Sequence, residues 1–429
     1  MIDFNKYNSK KVGILGLGIT GESIFKSIKD SNAEIYLWDD DISLREKYFN
    51  NKEKLIKLEE WPWDNLDYFF PSPGVDLKNK IFLNKLNKNK TKLMSDISLF
   101  EAERGNTFPS GTMIAITGTN GKSSTATILC DILKKEGYDA RLAGNIGIPI
   151  LSLEPGNEKT IYIIEVSSFQ IELTENIKPE IAVLLNISED HLDRHSSIEE
   201  YREIKSRIFL NQTRDDFSII YNNNEHTDFI SKKNFLSKKI ILSNSGNLDE
   251  KKYYSKNLTS IKEVLKILEI SDFIPSNYFE NFKGLNHRLE LVCESNGVKF
   301  INDSKATNPS ATNMAFDLNQ NIFWIGGGES KGNDLSKINL LSKNLERVFL
   351  VGSSSEELFN LTPKLKNPLI FQNLDSAVRA AYSEAKKSGG GNILLSPGCS
   401  SHDQFKSFEE RGDIFSDIAL SLIGLEKGC

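Results

Sequence analysis

A glycine-rich stretch near the middle of the chain has the residue types of a phosphate-binding loop. The run Gly118-Thr-Asn-Gly-Lys-Ser123 follows an apolar, strand-like segment and precedes a helical pattern. A phosphate requires backbone N–H groups that line a concavity, a helix N-terminus behind them and a nearby cation. The glycines let the backbone approach, Lys122 can reach phosphate oxygens, and the Ser123 hydroxyl can bind Mg²⁺. The loop is shorter than the usual G-x-x-x-x-G-K-[ST], but its chemistry predicts a nucleotide site.

A second glycine-rich turn lies close to the N-terminus. The run Gly16-Leu-Gly-Ile-Thr-Gly21 follows the strand-like Lys11–Leu15, and Asp39 ends the next apolar run. The spacing G-x-G-x-x-G, with an acidic residue after the second strand, is typical of dinucleotide-binding folds and of other diphosphate sites. It predicts a bound diphosphate. An NAD site is one interpretation, and a turn that is tight only for packing is the other.

Polar side chains also follow two apolar strands in the middle of the chain. Glu165 ends the run Thr160–Glu165, and the segment Asp190-His-Leu-Asp-Arg-His195 follows the run Ile181–Asn186. Ligands of α/β proteins bind at the carboxyl ends of parallel strands. We therefore expect Glu165 and His191 to contribute to a metal site. The alternatives are a solvated strand end for Glu165 and a structural role for His191.

Lys205 interrupts the apolar face of a predicted helix. Ser197-Ile-Glu-Glu200 has the pattern of a capping box, and apolar residues recur after it at helical spacing: Ile198, Tyr201, Ile204, Ile208 and Phe209. At about 100° per residue, Lys205 falls inside this arc and is predicted to face inward. The side chain either snorkels to water or is a buried amine that is neutral often enough to take up CO₂. The resulting carbamate would be an anionic metal ligand.

The elements around these residues predict an α/β protein with mostly parallel sheets. Strand-like runs alternate with amphipathic helical patterns in three blocks, which we expect to be domains at residues 1–94, 95–284 and 285–429. The spacing of apolar residues in Lys78–Lys92 favours a solvated amphipathic helix. The stretch of roughly residues 222–280 is lysine-rich and has no clear α/β pattern.

Composition excludes several classes of protein. The 429 residues include 53 Lys and Arg against 59 Asp and Glu, so nothing favours general binding to nucleic acid or to an anionic membrane. The four cysteines form no C-x-x-C pair, which argues against a zinc knuckle and a disulfide framework. No apolar run reaches the ~18–20 residues of a membrane span. We expect a cytoplasmic, monomeric protein that acts on small molecules.

The motifs together resemble those of the Mur ligases, which use ATP to add amino acids to the UDP-linked muramoyl precursor of peptidoglycan. The resemblance is carried by the phosphate loop, Glu165–Gln170, Asn145–Gly147 and Asp190–Arg194 in the central block. In the C-terminal block, the resemblance is to the members that add D-glutamate, and it is carried by Asn302–Asn308, Gly327–Gly332 and Ser396–Phe405, with Ser72–Val75 in the first block. It covers essentially the whole chain.

This resemblance implies an acyl-phosphate mechanism and a set of site residues. It implies three domains: a Rossmann-like domain for UDP, a central mononucleotide-binding domain and a second Rossmann-like domain. The implied catalytic residues are Lys122, Glu165, His191, Lys205 and Lys305. The implied ATP-binding residues are Gly118, Thr119, Asn120, Gly121, Lys122, Ser123, Ser124 and Arg288, the last in a hinge motif with His287. Two Mg²⁺ ions are implied, with the ligands Ser123, Glu165, His191 and carbamylated Lys205.

The resemblance also assigns both remaining substrates. The UDP substrate is implied to contact Gly18, Ile19, Thr20, Asp39, Ser72, Gly74, Asn145 and His191. D-Glutamate is implied to contact Thr307, Lys331, Ser401, His402 and Phe408, although the family commonly has an apolar residue at the position of His402. The alternatives are a ligase of the folylpolyglutamate synthase type, an NAD-dependent oxidoreductase and a nucleotide-binding scaffold without activity.

Overall fold

The computed structural model describes residues 7–48, 55–77, 91–104, 111–243, 255–270, 278 and 284–424. These residues divide into two compact units. The first comprises Met1–Ile187, Glu199–Leu248 and Lys256–Asp272, and the second comprises Ser188–Ile198, Asp249–Ser255 and Phe273–Cys429. Two sheets belong to the first unit and one to the second.

The N-terminal sheet is small and entirely parallel, with the strand order β2-β1-β3-β4. Its strands are β1 (Lys11–Leu15), β2 (Glu34–Trp38), β3 (Tyr68–Pro71) and β4 (Lys92–Leu93). Helix α1 (Ile19–Ile28) follows β1 directly, and the short helix α2 (Ile42–Glu46) follows β2. Trp61 and Trp63 stack on each other with ring centroids 5.5 Å apart and close one face of this sheet.

The second sheet of the first unit is parallel throughout, with the order β10-β9-β8-β5-β7-β6. Its strands are β5 (Thr112–Thr117), β6 (Ala140–Gly144), β7 (Ile161–Glu165), β8 (Ile181–Leu184), β9 (Phe217–Tyr221) and β10 (Lys238–Leu242). The helices of this region are α3 (Asp96–Glu103), α4 (Lys122–Lys135), α5 (Ser168–Glu172), α7 (Ile198–Ser206), α8 (Glu225–Ser231) and α9 (Ser255–Ile267). Every residue of β7 and β8 is buried, as expected for the inner strands of a parallel sheet.

The sheet of the second unit has the order β11-β12-β16-β13-β14-β15, in which only the β11–β12 pair is antiparallel. Its strands are β11 (Glu290–Ser295), β12 (Val298–Asn302), β13 (Ile322–Gly327), β14 (Leu345–Val351), β15 (Leu369–Ile370) and β16 (Gly391–Leu395). The helices of this unit are α6 (Leu192–His195), α10 (Pro309–Leu318), α11 (Ser355–Leu361), α12 (Leu374–Lys387) and α13 (Phe408–Leu422). Separate apolar clusters cover the sheet, one of them including Phe415 of α13 and the other Phe316 of α10.

Short 3-10 helices complete the described secondary structure. They are Leu58–Glu60, Trp63–Asn65, Ile150–Ser152, Arg207–Phe209, Leu335–Lys337 and Lys364–Lys366.

The prediction of an α/β protein with mostly parallel sheets is confirmed, and the three sheets follow the three predicted blocks in chain order. The domain boundaries at residues 94/95 and 284/285 stay predictions. Residues 222–280 showed no clear α/β pattern in the sequence. The structure nevertheless has regular elements in this stretch, namely α8, β10 and α9. Most of the helix predicted for Lys78–Lys92, residues 78–90, lies outside the described residues. Its last residue, Lys92, begins β4.

Candidate active site

The phosphate loop connects β5 to α4 through two glycines with left-handed backbone. Gly118 has φ 151° and Gly121 has φ 83°, conformations that a side chain would strain. Asn186, just beyond β8, anchors the loop. Its side chain accepts a hydrogen bond from the Asn120 N–H and donates to the Asn120 carbonyl, both at 2.9 Å. The loop is therefore held open by a neighbouring strand end.

Lys122 is the first residue of α4, and its side chain folds over the loop. Its Nζ donates to the carbonyl oxygens of Gly118, at 2.9 Å, and Thr119, at 2.8 Å. Ser123 and Ser124 are buried in the first turn of the helix. The structure thus places a cation and a helix N-terminus at the predicted phosphate site.

Asn257 of α9 contacts the same helix start. Its Nδ2 donates to the Gly121 carbonyl at 3.0 Å and to Thr125 Oγ1 at 2.8 Å. This residue lies in the stretch without a clear α/β pattern, and it was missed for that reason. Locally, Asn257 is a polar residue near the start of a helix, which does not indicate a functional site. Its contact with the phosphate loop depends on the packing of α9 against α4.

Glu165 ends β7 and is almost completely buried. Its Oε1 accepts a hydrogen bond of 3.0 Å from the Asn145 side chain, while Oε2 has no hydrogen-bond partner among the described residues. A buried oxygen left unpaired costs about 1–3 kcal/mol. A carboxylate oxygen in this state fits a hard cation such as Mg²⁺. Within the described part of the chain, no group of three or more His, Cys, Asp or Glu side chains could hold a metal on its own.

Lys205 faces inward, as predicted, and the snorkelling interpretation is wrong: its side chain is 1% exposed. Its Nζ lies 3.0 Å from the Gly118 carbonyl and 3.4 Å from Thr117 Oγ1. The Tyr201 ring centroid is 4.6 Å away. Lys122 and Lys205 therefore donate to the same carbonyl oxygen, that of Gly118.

The predicted UDP-binding residues of the first block lie at the carboxyl ends of β1, β2 and β3. A Cβ at Gly21 would lie 1.8 Å from the Gly16 carbonyl oxygen, whereas a Cβ at Gly18 would meet no atom within 4 Å. The Asp39 carboxylate accepts from the Leu17 N–H at 2.6 Å. Ser72 donates to the Gly16 carbonyl at 3.0 Å. The turn is thus tied to both neighbouring strands while Gly18 stays open.

The other residues predicted for the UDP site have different surroundings. Ile19 is 76% exposed on the turn, beside Thr20, and Gly74 is also exposed, on the loop after β3. Asn145 follows β6 and contacts Glu165 on the second sheet. His191 belongs to the second unit.

In the second unit, His191 lies in a segment that packs against the predicted glutamate loop. His191 and Lys331 both have left-handed backbone, with φ 55° and 51°. The Asp193 N–H points to the Lys331 carbonyl at 3.4 Å, and Asn308 donates to the Asp190 carboxylate at 3.2 Å. Such backbone conformations cluster at functional sites.

The segment after β12 carries Lys305 and Thr307. Lys305 Nζ lies 4.8 Å from the Phe408 ring centroid, and its N–H donates to the His287 carbonyl. His287 has φ 62°, which gives the backbone beside Arg288 a strained conformation. Ser401 is buried, whereas His402 is exposed. The structure brings Lys305 and Phe408 together, and the glutamate role of each residue stays a prediction.

Two buried charged residues of this unit were missed by the sequence analysis. Burial raises the pKa of Asp303 to about 7, and its carboxylate accepts from Ser396 Oγ at 2.8 Å. Arg411 of α13 is 2% exposed and donates to Ser304 and to the carbonyls of Cys399 and Ser400. Asp303 lies inside one of the motifs named above, whereas no local pattern indicates that Arg411 is buried.

Fold and site define a nucleotide-binding ligase: parallel α/β sheets carry a short phosphate loop, a buried acidic strand end and a buried lysine. Comparison with known families agrees. Residues 116–282 match the Mur ligase middle domain, and residues 287–399 match the glutamate ligase domain of Mur ligases. The chain belongs to the Mur ligase family, and it is an ATP-dependent, amide-forming ligase.

Two relatives illustrate the similarity over the full length. The UDP-N-acetylmuramoylalanine–D-glutamate ligase of Rickettsia prowazekii is 32% identical over 97% of this chain and 99% of its own. The enzyme of the same name from Nitrobacter winogradskyi is 30% identical over 99% of both chains. Among solved structures, the MurF ligase of Thermotoga maritima in complex with ADP has a TM-score of 0.60 at 14% identity, covering 98% of each chain. At that identity, the structural match supports the fold alone.

Two further observations concern the rest of the described chain. No helix within the described ranges is both long and apolar enough to cross a membrane. The cysteines of the described residues, Cys130, Cys293 and Cys399, are free thiols.

Proposed function

We propose that this Mur ligase joins D-glutamate to UDP-N-acetylmuramoyl-L-alanine and converts ATP to ADP and phosphate. The observation that carries the proposal is the full-length similarity to enzymes that bear this name, at 30–32% identity. The motifs that carry the resemblance to the D-glutamate-adding members lie in the second unit and at the end of β3, and His402 is the position that departs from them.

The chemistry begins with a poor electrophile. A carboxylate does not react with an amine until one oxygen becomes a leaving group, so ATP first phosphorylates the L-alanine carboxylate. The D-glutamate amine then attacks the acyl phosphate, and phosphate leaves the tetrahedral intermediate. Catalysis of such steps depends mostly on positioning and on neutralising charge.

The phosphate loop supplies both functions for ATP. The backbone N–H groups of Gly118–Ser124 and the N-terminus of α4 would hold the phosphates. Lys122 would turn from the loop carbonyls to the phosphate oxygens, exchanging two hydrogen bonds for contacts with a polyanion. Arg288 is assigned to the ADP moiety.

Magnesium is part of the proposal. When bound, Mg²⁺ neutralises the phosphate charge and orients the reacting groups. Ser123 and Glu165 would hold one ion, and the unpaired Oε2 of Glu165 supports this assignment. His191 and carbamylated Lys205 would hold a second. The burial of Lys205 and the 3.0 Å between its Nζ and the Gly118 carbonyl oxygen support its assignment to this site.

The two remaining substrates are assigned to the other sheets. The UDP moiety is assigned to the end of the N-terminal sheet, where the open Gly18 lets a diphosphate approach the backbone. Its further contacts are Ile19, Thr20, Asp39, Ser72, Gly74, Asn145 and His191. D-Glutamate is assigned to the second unit, with Lys305 near the reacting phosphate. Its contacts are Thr307, Lys331, Ser401, His402 and Phe408.

The proposal includes the setting of the reaction. We infer a monomeric enzyme of the cytoplasm, in peptidoglycan precursor synthesis, with small-molecule substrates and without a nucleic-acid or membrane partner. The domain boundaries at residues 94/95 and 284/285 are part of the same proposal.

The test is phosphate release from ATP in the presence of the UDP substrate with D-glutamate, L-glutamate or no amino acid. We expect release only with the UDP substrate and the D-isomer together. Release that requires a folate-type acceptor instead would favour a folylpolyglutamate synthase, and ATP binding without any release would favour a scaffold. Absorbance changes that depend on a nicotinamide cofactor would favour an oxidoreductase with an NAD site at Gly16–Gly21.

The carbamate has its own test. Lys205→Ala is expected to lose activity and to regain part of it when a short-chain carboxylate is added. A Lys205→Ala enzyme with wild-type activity and no additive would contradict the carbamate.

A further inference from the structure

Arg411 is a buried arginine whose charge is not used by the function proposed above. It lies on α13, one turn after Phe408, with 2% of its surface exposed. Its five hydrogen bonds to residues that the structure describes all end on neutral oxygen atoms. They go to Ser304 Oγ at 3.0 Å, the Ser304 carbonyl at 2.8 Å, the Cys399 carbonyl twice at 3.2 Å and the Ser400 carbonyl at 3.2 Å. Burial lowers the pKa of its guanidinium to about 10, so the group is charged at neutral pH.

These contacts join the segments that carry the predicted glutamate residues. Ser304 directly precedes Lys305, and Ser400 directly precedes Ser401. The Ser304 hydroxyl in turn donates to the Phe408 carbonyl at 2.8 Å. One guanidinium therefore connects the end of β12, the loop after β16 and the first turn of α13.

The loop that carries Lys331 is connected to the same centre. The Ser400 carbonyl, which accepts from Arg411, also accepts from the Glu329 N–H at 3.0 Å, and the Ser400 N–H donates to the Glu329 carbonyl at 2.8 Å. A Cβ at Gly328 would lie 2.1 Å from the Ser400 carbonyl oxygen, which shows how closely the two loops approach. Arg411 is thus connected, directly or through Ser304 and Ser400, to every segment assigned to the amino acid.

Stability alone is a poor reason for a buried cation at this place. An apolar side chain of similar volume usually stabilises a core as well as a buried charge does. A guanidinium, in contrast, presents five donors in one rigid plane, which can hold several carbonyls at a fixed separation. Lysine carries the same charge but lacks this planar arrangement.

We propose that Arg411 is a positioning residue for the amino-acid substrate, which sets the spacing between the Ser304–Lys305 and Cys399–Ser401 segments. The assignment rests on the proposed function for the identity of that substrate. A pocket with the correct spacing holds both carboxylates of D-glutamate at once. When the spacing relaxes, affinity for the amino acid falls while the ATP and UDP substrates bind as before.

The test compares Arg411→Lys with wild type in the phosphate-release assay, with kcat and the three KM values measured separately. We expect the KM for D-glutamate to rise roughly 10-fold, the factor that corresponds to 1.4 kcal/mol. The KM values for ATP and the UDP substrate should stay within about twofold, a change of less than 0.5 kcal/mol. Arg379→Lys is the matched control, because Arg379 lies on α12 of the same unit, is exposed and forms an ion pair with Asp375 one helical turn away. It should match wild type in every constant.

Ser304→Ala gives a second, smaller perturbation in case Arg411→Lys does not fold. It removes both hydrogen bonds of the Ser304 hydroxyl, the one accepted from Arg411 Nε and the one donated to the Phe408 carbonyl, and keeps the arginine. We expect the KM for D-glutamate to rise roughly threefold, less than for Arg411→Lys, because the guanidinium keeps its hydrogen bonds to the Ser304, Cys399 and Ser400 carbonyls.

The outcomes separate the positioning role from the proposed function. Unchanged KM values for D-glutamate in the variants that fold would overturn the positioning role, even if kcat and the melting temperature fell. If wild type itself releases no phosphate with D-glutamate, the proposed function fails, and the substrate assigned to Arg411 fails with it.

Discussion

The first unit contains two glycine-rich turns that share one plan and differ in what surrounds them. Each turn connects the end of a central parallel strand to the start of a helix: β1 to α1 at Gly16–Gly21, and β5 to α4 at Gly118–Gly121. In the first turn, the Asp39 carboxylate binds the Leu17 N–H. In the second turn, Lys122 folds over the loop.

The two turns differ in the charge of the side chains that contact them. The Asp39 carboxylate accepts a hydrogen bond from the first turn, and the exposed side chain of that turn is the apolar Ile19. The second turn brings two lysine amines to one carbonyl oxygen, that of Gly118, beside the buried Glu165 strand end. A diphosphate that is only bound can rely on backbone N–H groups, whereas a phosphate in transfer needs cations to neutralise developing charge. Glycine spacing alone therefore does not tell the two sites apart.

The largest expected effect is that of Lys122→Met in the second turn. If Lys122 neutralises the transferred phosphate as proposed, kcat should fall roughly 10²–10³-fold. Lys134→Met, at the exposed far end of the same helix, is the control and should retain kcat. Titration with the UDP substrate alone should give wild-type affinity. An equal loss of UDP-substrate affinity would contradict the separation of the two turns.

Gly21→Ala should be the most destabilising change in the first turn. Its Cβ would lie 1.8 Å from the Gly16 carbonyl oxygen, so the backbone must move. We expect the free energy of unfolding in urea to fall by about 2–4 kcal/mol. Gly18→Ala is the matched control for stability, because its Cβ meets no atom within 4 Å. Equal stability of the two variants would show that the turn tolerates a side chain at position 21.

Gly18→Ala itself should act on substrate binding. The open space at Gly18 is where a diphosphate can approach the backbone, and a methyl group fills part of it. We expect the affinity for the UDP substrate, measured by calorimetry, to fall roughly 10-fold. Binding of ADP should be unchanged. If the variant instead lost ADP binding, the first turn and not the second would be the site of ATP.

Asn257→Ala should give the smallest effect and act only on the second turn. It removes hydrogen bonds to the Gly121 carbonyl and to Thr125 Oγ1, each worth about 0.5–1.5 kcal/mol. We expect the KM for ATP to rise roughly fivefold, equivalent to about 1 kcal/mol, with no change for the UDP substrate. Asn211→Ala, which also removes two hydrogen bonds to neutral oxygens, is the control. A rise in the KM for the UDP substrate would show that α9 serves both turns.

The sequence predicted both turns because their signals are local. Glycines that need left-handed backbone, such as Gly121, and a lysine at a helix start can be recognised without knowing what packs against them. The inward direction of Lys205 followed from helical periodicity in the same way. Local pattern therefore predicted where these side chains lie in the fold, and their roles stay predictions.

The residues that sequence reasoning missed depend on contacts between distant segments. Asn186, just after β8, and Asn257, on α9, both form hydrogen bonds with the phosphate loop. Arg411 contacts Ser304 and Cys399, which are far apart in the sequence. The strand β10 was missed because it is a half-exposed edge strand with two lysines. Such strands carry charge that keeps other chains from pairing, and this charge hides their apolar pattern.

The most direct test of the whole account follows the oxygen atoms of the UDP substrate. The substrate is prepared with oxygen-18 in both positions of its L-alanine carboxylate and is incubated with ATP, Mg²⁺ and D-glutamate. We expect the released phosphate to contain one oxygen-18 atom and the nucleotide product to have gained one D-glutamate, both read by mass spectrometry. Phosphate without oxygen-18 would mean that ATP never phosphorylated the carboxylate, and it would contradict the ligase mechanism proposed for this site.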